Sequence, residues 1–311
     1  MRKQTIYIAL LALLAVGCSS DDETREATVP AEEPPVEQPA DAIVLTASMG
    51  SADVTRGSQD VQTAAFDEGE LVRVECTPTG STSTSSVVYR TGVADEETKN
   101  ALTPYDKALT WPANNGSVGI RAYYPSTVTS STATFSVQDD QSSDDNYKLS
   151  DLMYATPLSD QSRQNGVLLT FHHALSKIVI NIVGTGSVSS DAFADCEVSV
   201  KACKTAALVN GVATPVDDAT AAEDYGYIKI GTGAAVAGII VPQTIDGSAT
   251  AQPFVRVRLN GKNLYFKLAT RKTFAERMKY TYTLAIGPSD EISLIKSEIT
   301  DWRNVEFITS M

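Results

Sequence analysis

Histidine is almost absent from this chain of 311 residues, which contains only His172 and His173. Neighbouring residues of an extended strand point to opposite faces, so the two imidazoles cannot chelate one metal ion together. The common catalytic patterns are also missing, namely the Gly-x-Ser-x-Gly nucleophile elbow, HExxH, glycine-rich phosphate loops and Cys-x-x-Cys. Carboxylates are abundant and leave a glycosidase-like acid pair open, but no pair stands out. We therefore predict a protein without catalytic residues, a metal site or a cofactor.

Cysteine is scarce too, with four residues in the chain. Cys18 belongs to an N-terminal export segment, which leaves Cys76, Cys196 and Cys203. An odd number of thiols cannot form a complete set of disulfides. We predict that these three residues are buried and act as small hydrophobic side chains.

Basic residues are outnumbered, because 25 lysines and arginines face 38 aspartates and glutamates, for a formal net charge of −13. A strongly acidic protein repels nucleic acid and anionic lipid head groups. We therefore expect no nucleic-acid partner.

An export signal opens the chain. A short basic region precedes an apolar run, Ile6 to Val16, which Gly17 and Cys18 follow. The run is too short to span a membrane as a helix, and it is typical of a signal peptide covering residues 1–17. The Gly17–Cys18 junction resembles the lipobox of bacterial lipoproteins, which implies cleavage between these residues and acylation of Cys18. More than one acyl chain would anchor the protein to a membrane without crossing it. An ordinary signal peptide with a chance cysteine is the alternative.

Residues 18–41 form an acidic stretch rich in proline. Its low hydrophobicity cannot support a packed core, so we predict a disordered linker. The acidic patch directly after Cys18 resembles the surface-export signal of some lipoproteins of Gram-negative anaerobes. A plain spacer that holds the following domain away from the membrane would have the same composition.

After the linker, alternating apolar and polar residues predict many short strands and no long helix. The first strand lies within residues 41–49, and its inward face would carry Ile43, Leu45, Ala47 and Met49. About 270 residues follow the linker, which is more than one small β domain needs. We predict an all-β fold with two β-sandwich domains, residues 42–165 and residues 166–311.

The strongest turn signal is Asn260-Gly261, which lies between two alternating runs. This dipeptide predicts a tight β-hairpin. The alternation places Arg256 and Arg258 on the solvent side of the first hairpin strand. Near the end of the chain, Trp302 is interpreted as a residue of the core.

Several short motifs follow Cys18 in order along the chain. They are Val54-Thr55-Arg56, Phe66-Asp67-Glu68-Gly69-Glu70, Tyr123-Tyr124-Pro125, Asp151-Leu152-Met153-Tyr154-Ala155, Leu169-Thr170-Phe171-His172-His173-Ala174-Leu175-Ser176-Lys177-Ile178, Lys279-Tyr280-Thr281-Tyr282-Thr283-Leu284 and Ile299-Thr300-Asp301-Trp302. Together they resemble the fimbrillins, the Mfa-like type V pilins of Gram-negative anaerobes. The resemblance implies two transthyretin-like β-sandwich domains and export as a lipoprotein of the cell outer membrane. It also implies trimming by a trypsin-like protease and polymerisation with other pilin subunits into adhesive fibres.

Applied to this sequence, the resemblance implies cleavage between Arg56 and Gly57. This cut would release the first strand, and a strand of a neighbouring subunit would fill the groove. The C-terminal stretch also alternates, and the inward face of this candidate donor strand would carry Val305, Phe307 and Met311. An ordinary loop arginine at Arg56, and a tail that simply completes its own domain, are the alternatives.

Two functions remain open at this point. The first is a structural and adhesive fimbrial subunit, in contact with other subunits and with a host receptor or glycan. The second is a monomeric, surface-anchored lipoprotein that binds glycans or host proteins. Exposed aromatic side chains in a shallow groove would favour the second.

Overall fold

Short strands joined by turns make up nearly all of the regular structure of the chain. The structure is a computed structural model and describes residues 38–49, 66–92, 100–247 and 253–302. Its strands are β1 (Leu45–Met49), β2 (Leu71–Pro78), β3 (Ser85–Thr91), β4 (Ala101–Pro104), β5 (Val118–Tyr124), β6 (Thr134–Ser136), β7 (Met153–Ala155), β8 (Leu158–Gln161), β9 (Val167–His173), β10 (Ser176–Gly184), β11 (Glu197–Ala202), β12 (Thr205–Val209), β13 (Val212–Thr214), β14 (Gly226–Thr232), β15 (Ala235–Ile240), β16 (Gln243–Ile245), β17 (Val255–Leu259), β18 (Lys262–Phe266), β19 (Lys272–Phe274), β20 (Met278–Ile286) and β21 (Ile292–Asp301). The prediction of an all-β fold is confirmed.

Helical structure is limited to short pieces in these residues. They are the helix α1 (Asp144–Leu149) and two 3-10 turns, Ser190–Phe193 and Ala219–Ala221. None of the helices in the described part of the chain is long and apolar enough to cross a membrane.

The first sheet closes on itself. Its strands follow the order β2-β3-β4-β1-β9-β7-β5, β5 pairs again with β2, and β8 adds to β5. Apolar side chains from all seven strands of the ring point inward and form the first hydrophobic core. Closure gives each strand of the ring a neighbour on both sides, so none of them is an edge strand.

The second half of the chain forms two four-stranded sheets that pack face to face. One has the order β15-β10-β20-β21 and the other the order β14-β11-β17-β18. The ring of Tyr282 on β20 lies 5.7 Å from the ring of Phe254 and 6.3 Å from that of Phe266 on β18. The second hydrophobic core therefore lies between these sheets, as in a β-sandwich.

The two cores meet where β9 is followed directly by β10. Leu169 and Phe171 on β9 belong to the first core, and Ala174 and Leu175 belong to the second. The first core thus extends past the predicted border at residue 165, because β9 pairs with β1 and β7. The division into domains 42–165 and 166–311 stays a prediction, with β9 on the side of the first core.

Three local predictions are confirmed. Asn260 and Gly261 have φ angles of 50° and 77°, as a type I′ turn requires, and they join β17 to β18. Trp302 is 1% exposed. The three predicted buried thiols, Cys76, Cys196 and Cys203, are buried and free.

Candidate functional site

The first strand, β1, fills a slot in the closed sheet. The exposed fraction is 2% for Ile43, 1% for Leu45 and 5% for Ala47, and Met49 is half-buried. Val44, on the opposite face, is 49% exposed. The burial follows the alternation of the sequence, because successive side chains of a strand point to opposite faces.

Both edges of this segment are paired. β1 runs antiparallel to β4, with Leu45 opposite Leu102, and parallel to β9, with Leu45 opposite Val167. Just before the strand, the N–H of Ile43 donates to the carbonyl oxygen of Leu109 at 2.8 Å. Strands in a sheet lie about 4.8 Å apart, so loss of β1 would leave a slot about 9.6 Å wide between β4 and β9. Each wall of that slot would carry unpaired backbone groups.

The core next to the slot contains a buried tyrosine and a buried thiol. The N–H of Leu109 donates to the hydroxyl of Tyr89 at 2.9 Å. Burial raises the pKa of Tyr89 to about 12, although the hydrogen bond from Leu109 acts to lower it. Burial also raises the pKa of the Cys76 thiol to about 11. Cys76 is therefore protonated at neutral pH and shielded from reagents while the first core is closed.

Aromatic rings pack beside the end of β1. The ring of Phe66 lies 5.0 Å from that of Phe171 in an edge-on arrangement and 5.6 Å from that of Tyr124. Phe66 and Met49 both pack against the first core. Phe66 therefore covers the first core beside the end of β1.

Several predicted site residues lie outside the described residues. They are the signal cleavage pair Gly17 and Cys18, the processing pair Arg56 and Gly57, and the candidate donor residues Val305, Phe307 and Met311. Most of the predicted linker, residues 18–37, also lies outside. Among the predicted site residues, the structure therefore describes those of the first strand, Ile43, Leu45, Ala47 and Met49, and the slot that they fill.

A buried polar cluster at the junction of the two cores was not predicted. Nδ1 of His173 lies 2.8 Å from Oδ1 of Asp151, and its ring stacks on that of Trp302 with centroids 3.9 Å apart. Nζ of the buried Lys177 lies 5.8 Å from the Trp302 ring. Each residue belongs to a motif noted in the sequence, but only the fold shows that the motifs meet. Trp302 directly precedes the C-terminal tail. It is held in place by the stacked His173 ring and by a hydrogen bond from its N–H to the carbonyl oxygen of Arg277.

The last described strand is an edge strand. In the described part of the chain β21 pairs with β20 alone. Its apolar side chains are largely exposed, at 43% for Leu294, 57% for Ile295 and 48% for Ile299. An exposed apolar edge strand is a surface on which another chain can add. No three His, Cys, Asp or Glu side chains come together as a metal site within residues 38–49, 66–92, 100–247 and 253–302.

Comparison with known proteins gives one family and a set of similar folds. The fimbrillin-like family model matches residues 55–302. A proposed cell adhesion protein from Bacteroides uniformis is similar in structure with a TM-score of 0.63, at 20% identity, over 85% of this chain and 100% of its own. Another, from Bacteroides ovatus, has a TM-score of 0.61 at 15% identity, over 85% of this chain and 98% of its own.

A fimbrial protein from Bacteroides ovatus has a TM-score of 0.43 at 13% identity, over 79% of this chain and 48% of its own. No curated protein sequence matches the chain. The two structures with the higher scores share the fold described above. Since the family model covers most of the chain, from residue 55 to Trp302, the chain belongs to the fimbrillin-like family.

Proposed function

We propose that this protein is a fimbrial subunit whose first strand is a removable part of its own closed sheet. The observation that carries the proposal is the near-complete burial of Ile43, Leu45 and Ala47 in a slot paired on both sides. As a member of this family, the chain is a structural protein of the cell surface and not an enzyme.

The proposed route to the surface uses the start of the chain. Residues 1–17 direct export, cleavage exposes Cys18, and acylation of Cys18 anchors the protein in the outer membrane. Residues 18–41 then act as a disordered tether between the lipid and the first sheet. The partners are other pilin subunits and a host receptor or glycan.

Cleavage after Arg56 would change the charge of the subunit. Residues 18–56 contain nine acids against Arg25 and Arg56, a net charge of −7. Without the signal peptide, which carries Arg2 and Lys3, the chain has a net charge of −15, so trimming leaves −8. Lower like charge reduces the repulsion between subunits that come together.

Removal of the first strand also creates the binding site for the next subunit. Burial of one large apolar side chain contributes about 1.5–3 kcal/mol, so an open slot loses several such contributions and two rows of hydrogen bonds. A strand with similar alternation would restore both. The proposed donor is the tail with Val305, Phe307 and Met311, which follows the fixed position of Trp302.

Limited trypsin digestion tests the slot, with Cys76 as its reporter. We expect a product that begins at Gly57 and, once the first strand leaves, rapid labelling of Cys76 by a thiol reagent. Cys196 and Cys203 belong to the second core and should stay protected, which makes them internal controls. Peptide mapping assigns the labelled thiols. An Arg56→Gln variant should resist this cut, and a chain trimmed to Gly57 that keeps Cys76 protected and stays monomeric contradicts the proposal.

Substitutions in the tail test the donor. A Val305→Ser, Phe307→Ser double variant should fold, be trimmed and remain monomeric. A Glu306→Ala, Ser310→Ala double variant changes the other face of the same segment and should polymerise normally. Fibres of normal length from the first variant, seen by electron microscopy, would place the donor strand elsewhere.

The second candidate function, a monomeric lipoprotein that binds glycans or host proteins, is favoured by an aromatic surface in the second half of the chain. Tyr265 on that surface is 47% exposed. Size-exclusion chromatography after trypsin treatment separates the two candidates, because a fimbrial subunit should form larger species and a monomeric receptor should not.

A further inference from the structure

One outer sheet face combines tyrosines with cations. On the sheet β14-β11-β17-β18, inward residues such as Val200 and Val257 fill the second core. The neighbouring positions point outward and form what we call the tyrosine–arginine face: Lys201, Tyr227, Arg256, Arg258 and Tyr265, with Tyr225, which packs against the second core, at its border. The three tyrosines come from β14, from the residue before it and from β18, and the cations come from the two strands between them.

Ring contacts hold two of the three cations of this face in place. Cζ of Arg256 lies 4.3 Å from the centroid of the Tyr227 ring, and its Nη2 donates to the hydroxyl of Ser199 at 3.1 Å. Nζ of Lys201 lies 5.2 Å from the Tyr225 ring and 5.7 Å from the Tyr227 ring. Cations over aromatic faces are attracted by the ring quadrupole. Arg256 and Lys201 are therefore ordered before any ligand arrives.

The charge of the face is opposite to that of the protein. The whole chain has a net charge of −13, whereas this face carries three cations, with the carboxylate of Asp246 near its border, where it helps to raise the pKa of Tyr225. The only carboxylate near Arg256 in the described residues is that of Glu197, with Oε1 at 3.7 Å from Nη2. The adjacent Arg258 is exposed. This local excess of positive charge attracts an anionic ligand.

The shape of the face favours a saccharide over an extended peptide. Peptides that bind sheets commonly use free backbone groups at an edge strand, but here the cations lie on the two central strands, whose backbone groups are already paired. Four strands spaced about 4.8 Å apart give a platform about 14 Å wide. Tyrosine rings offer flat apolar surfaces with a polar end, which suits the mixed faces of sugar rings. A stacked guanidinium presents its N–H groups in a fork that fits carboxylate or sulfate oxygens.

We propose that the tyrosine–arginine face binds acidic oligosaccharides through their carboxylate or sulfate groups. The inference deepens the adhesive role proposed above and rests on it, because it gives that role a site and a ligand class. Tyr265 would stack on a sugar ring, and Arg256, Arg258 and Lys201 would contact the anionic groups.

Binding of defined hexasaccharides to the full-length protein in mild detergent tests this proposal. A heparin hexasaccharide carries sulfate and carboxylate, a hyaluronan hexasaccharide carries carboxylate alone, and maltohexaose is neutral. We expect binding of at least one acidic hexasaccharide, no binding of maltohexaose, and weaker binding at higher salt. Arg256→Gln and Lys201→Gln should each weaken binding about tenfold, the loss of one charge-assisted contact.

Arg90 provides the matched control. It lies over the exposed Tyr105 ring at 4.9 Å but belongs to the first sheet, so Arg90→Gln removes the same charge from a similar contact and should leave binding unchanged. Arg258→Gln should also weaken binding. Because Arg258 is exposed, this variant replaces Arg256→Gln in the test if Arg256→Gln fails to fold.

Three results would overturn the proposal: no binding of either acidic hexasaccharide, an equal loss in Arg90→Gln, or equally tight binding of an oligoglutamate peptide that Arg256→Gln abolishes. The last result would assign the face to an acidic protein partner. Fibre formation is measured separately, and Arg256→Gln should polymerise like the unmodified protein after trimming. Failure of the glycan site is thereby distinguishable from failure of the strand-exchange mechanism.

Discussion

Leu45 is the side chain of the first strand whose contribution to stability is simplest to measure. It is 1% exposed and lies between β4 and β9. We expect Leu45→Ala to lower the free energy of unfolding by about 2–5 kcal/mol, because it removes buried methyl groups and leaves a cavity. Val44→Ala, one residue earlier on the exposed face, should change it by less than about 0.5 kcal/mol. Urea denaturation of both variants makes the comparison, and equal effects would mean that β1 is not seated in the core.

Asp224 links the stability of the second half to pH. Burial acts to raise the pKa of its carboxyl group, but hydrogen bonds from Cys203 and from the N–H of Lys204 outweigh it and hold the pKa below the ordinary value of 3.8. A carboxyl group with a depressed folded-state pKa stabilises the fold above its unfolded pKa. That contribution is lost as the pH falls below about 4 and through the folded-state pKa.

The variant Asp224→Asn tests this linkage. At pH 7 it should unfold at lower denaturant concentration than the unmodified protein, and the difference should shrink towards pH 3. Thermal or urea unfolding at several pH values measures it. A difference that stays constant with pH would mean that ionisation of Asp224 does not contribute.

At the scale of elements, the hairpin between β17 and β18 depends on its turn. Gly261 has a φ of 77°, and a Cβ at this position would meet nothing within 4 Å. The cost of Gly261→Ala is therefore conformational, at about 1 kcal/mol. Gly166 also has open space, and its φ lies outside the left-handed region, so Gly166→Ala should be neutral or slightly stabilising. If both substitutions have the same effect, the left-handed turn is not what stabilises the hairpin.

The sequence predicted where individual strands lie better than it predicted which strands pair with one another. Alternation identified the buried face of β1, and Asn260-Gly261 identified the hairpin, because both signals are local. The parallel pairing of β1 with β9 is not encoded in either strand alone, since a period of two shows which face is buried but not which strand lies beside it. The predicted border at residue 165 put β9 in the second domain for the same reason, because its pairing with β1 and β7 cannot be read from its own sequence.

The candidate sites show the same limit. The solvent side of Arg256 was predictable from its own strand, whereas its stacking on Tyr227 depends on the order of three strands in the sheet. The His173–Asp151–Trp302 cluster joins residues up to 151 positions apart in the sequence. Short-range patterns carry no information about such contacts.

At the scale of the whole molecule, the chain is an all-β structural protein of the fimbrillin-like family, and its excess of acid influences how copies meet. Subunits trimmed as proposed would still carry a net charge of −8 and would repel one another. Salt screens that repulsion, with a Debye length of about 30 Å at 0.01 M and about 8 Å at 0.15 M. We therefore expect trimmed subunits to polymerise faster at 0.15 M salt, as followed by light scattering. A rate that falls with salt would indicate that opposite charges on the two subunits guide assembly.

The closed first sheet also has a consequence for the order in which the protein can form. Thr46 lies beside Val167, a residue 121 positions later, so β1 leaves the ribosome long before its parallel neighbour. Structures built from such distant pairings fold slowly. The ring stays open until more than half of the polypeptide has been delivered, and during that interval the nascent chain exposes the strand edges that the finished subunit conceals. A chaperone that recognises extended apolar segments would therefore find its target in the incomplete chain and lose it on closure.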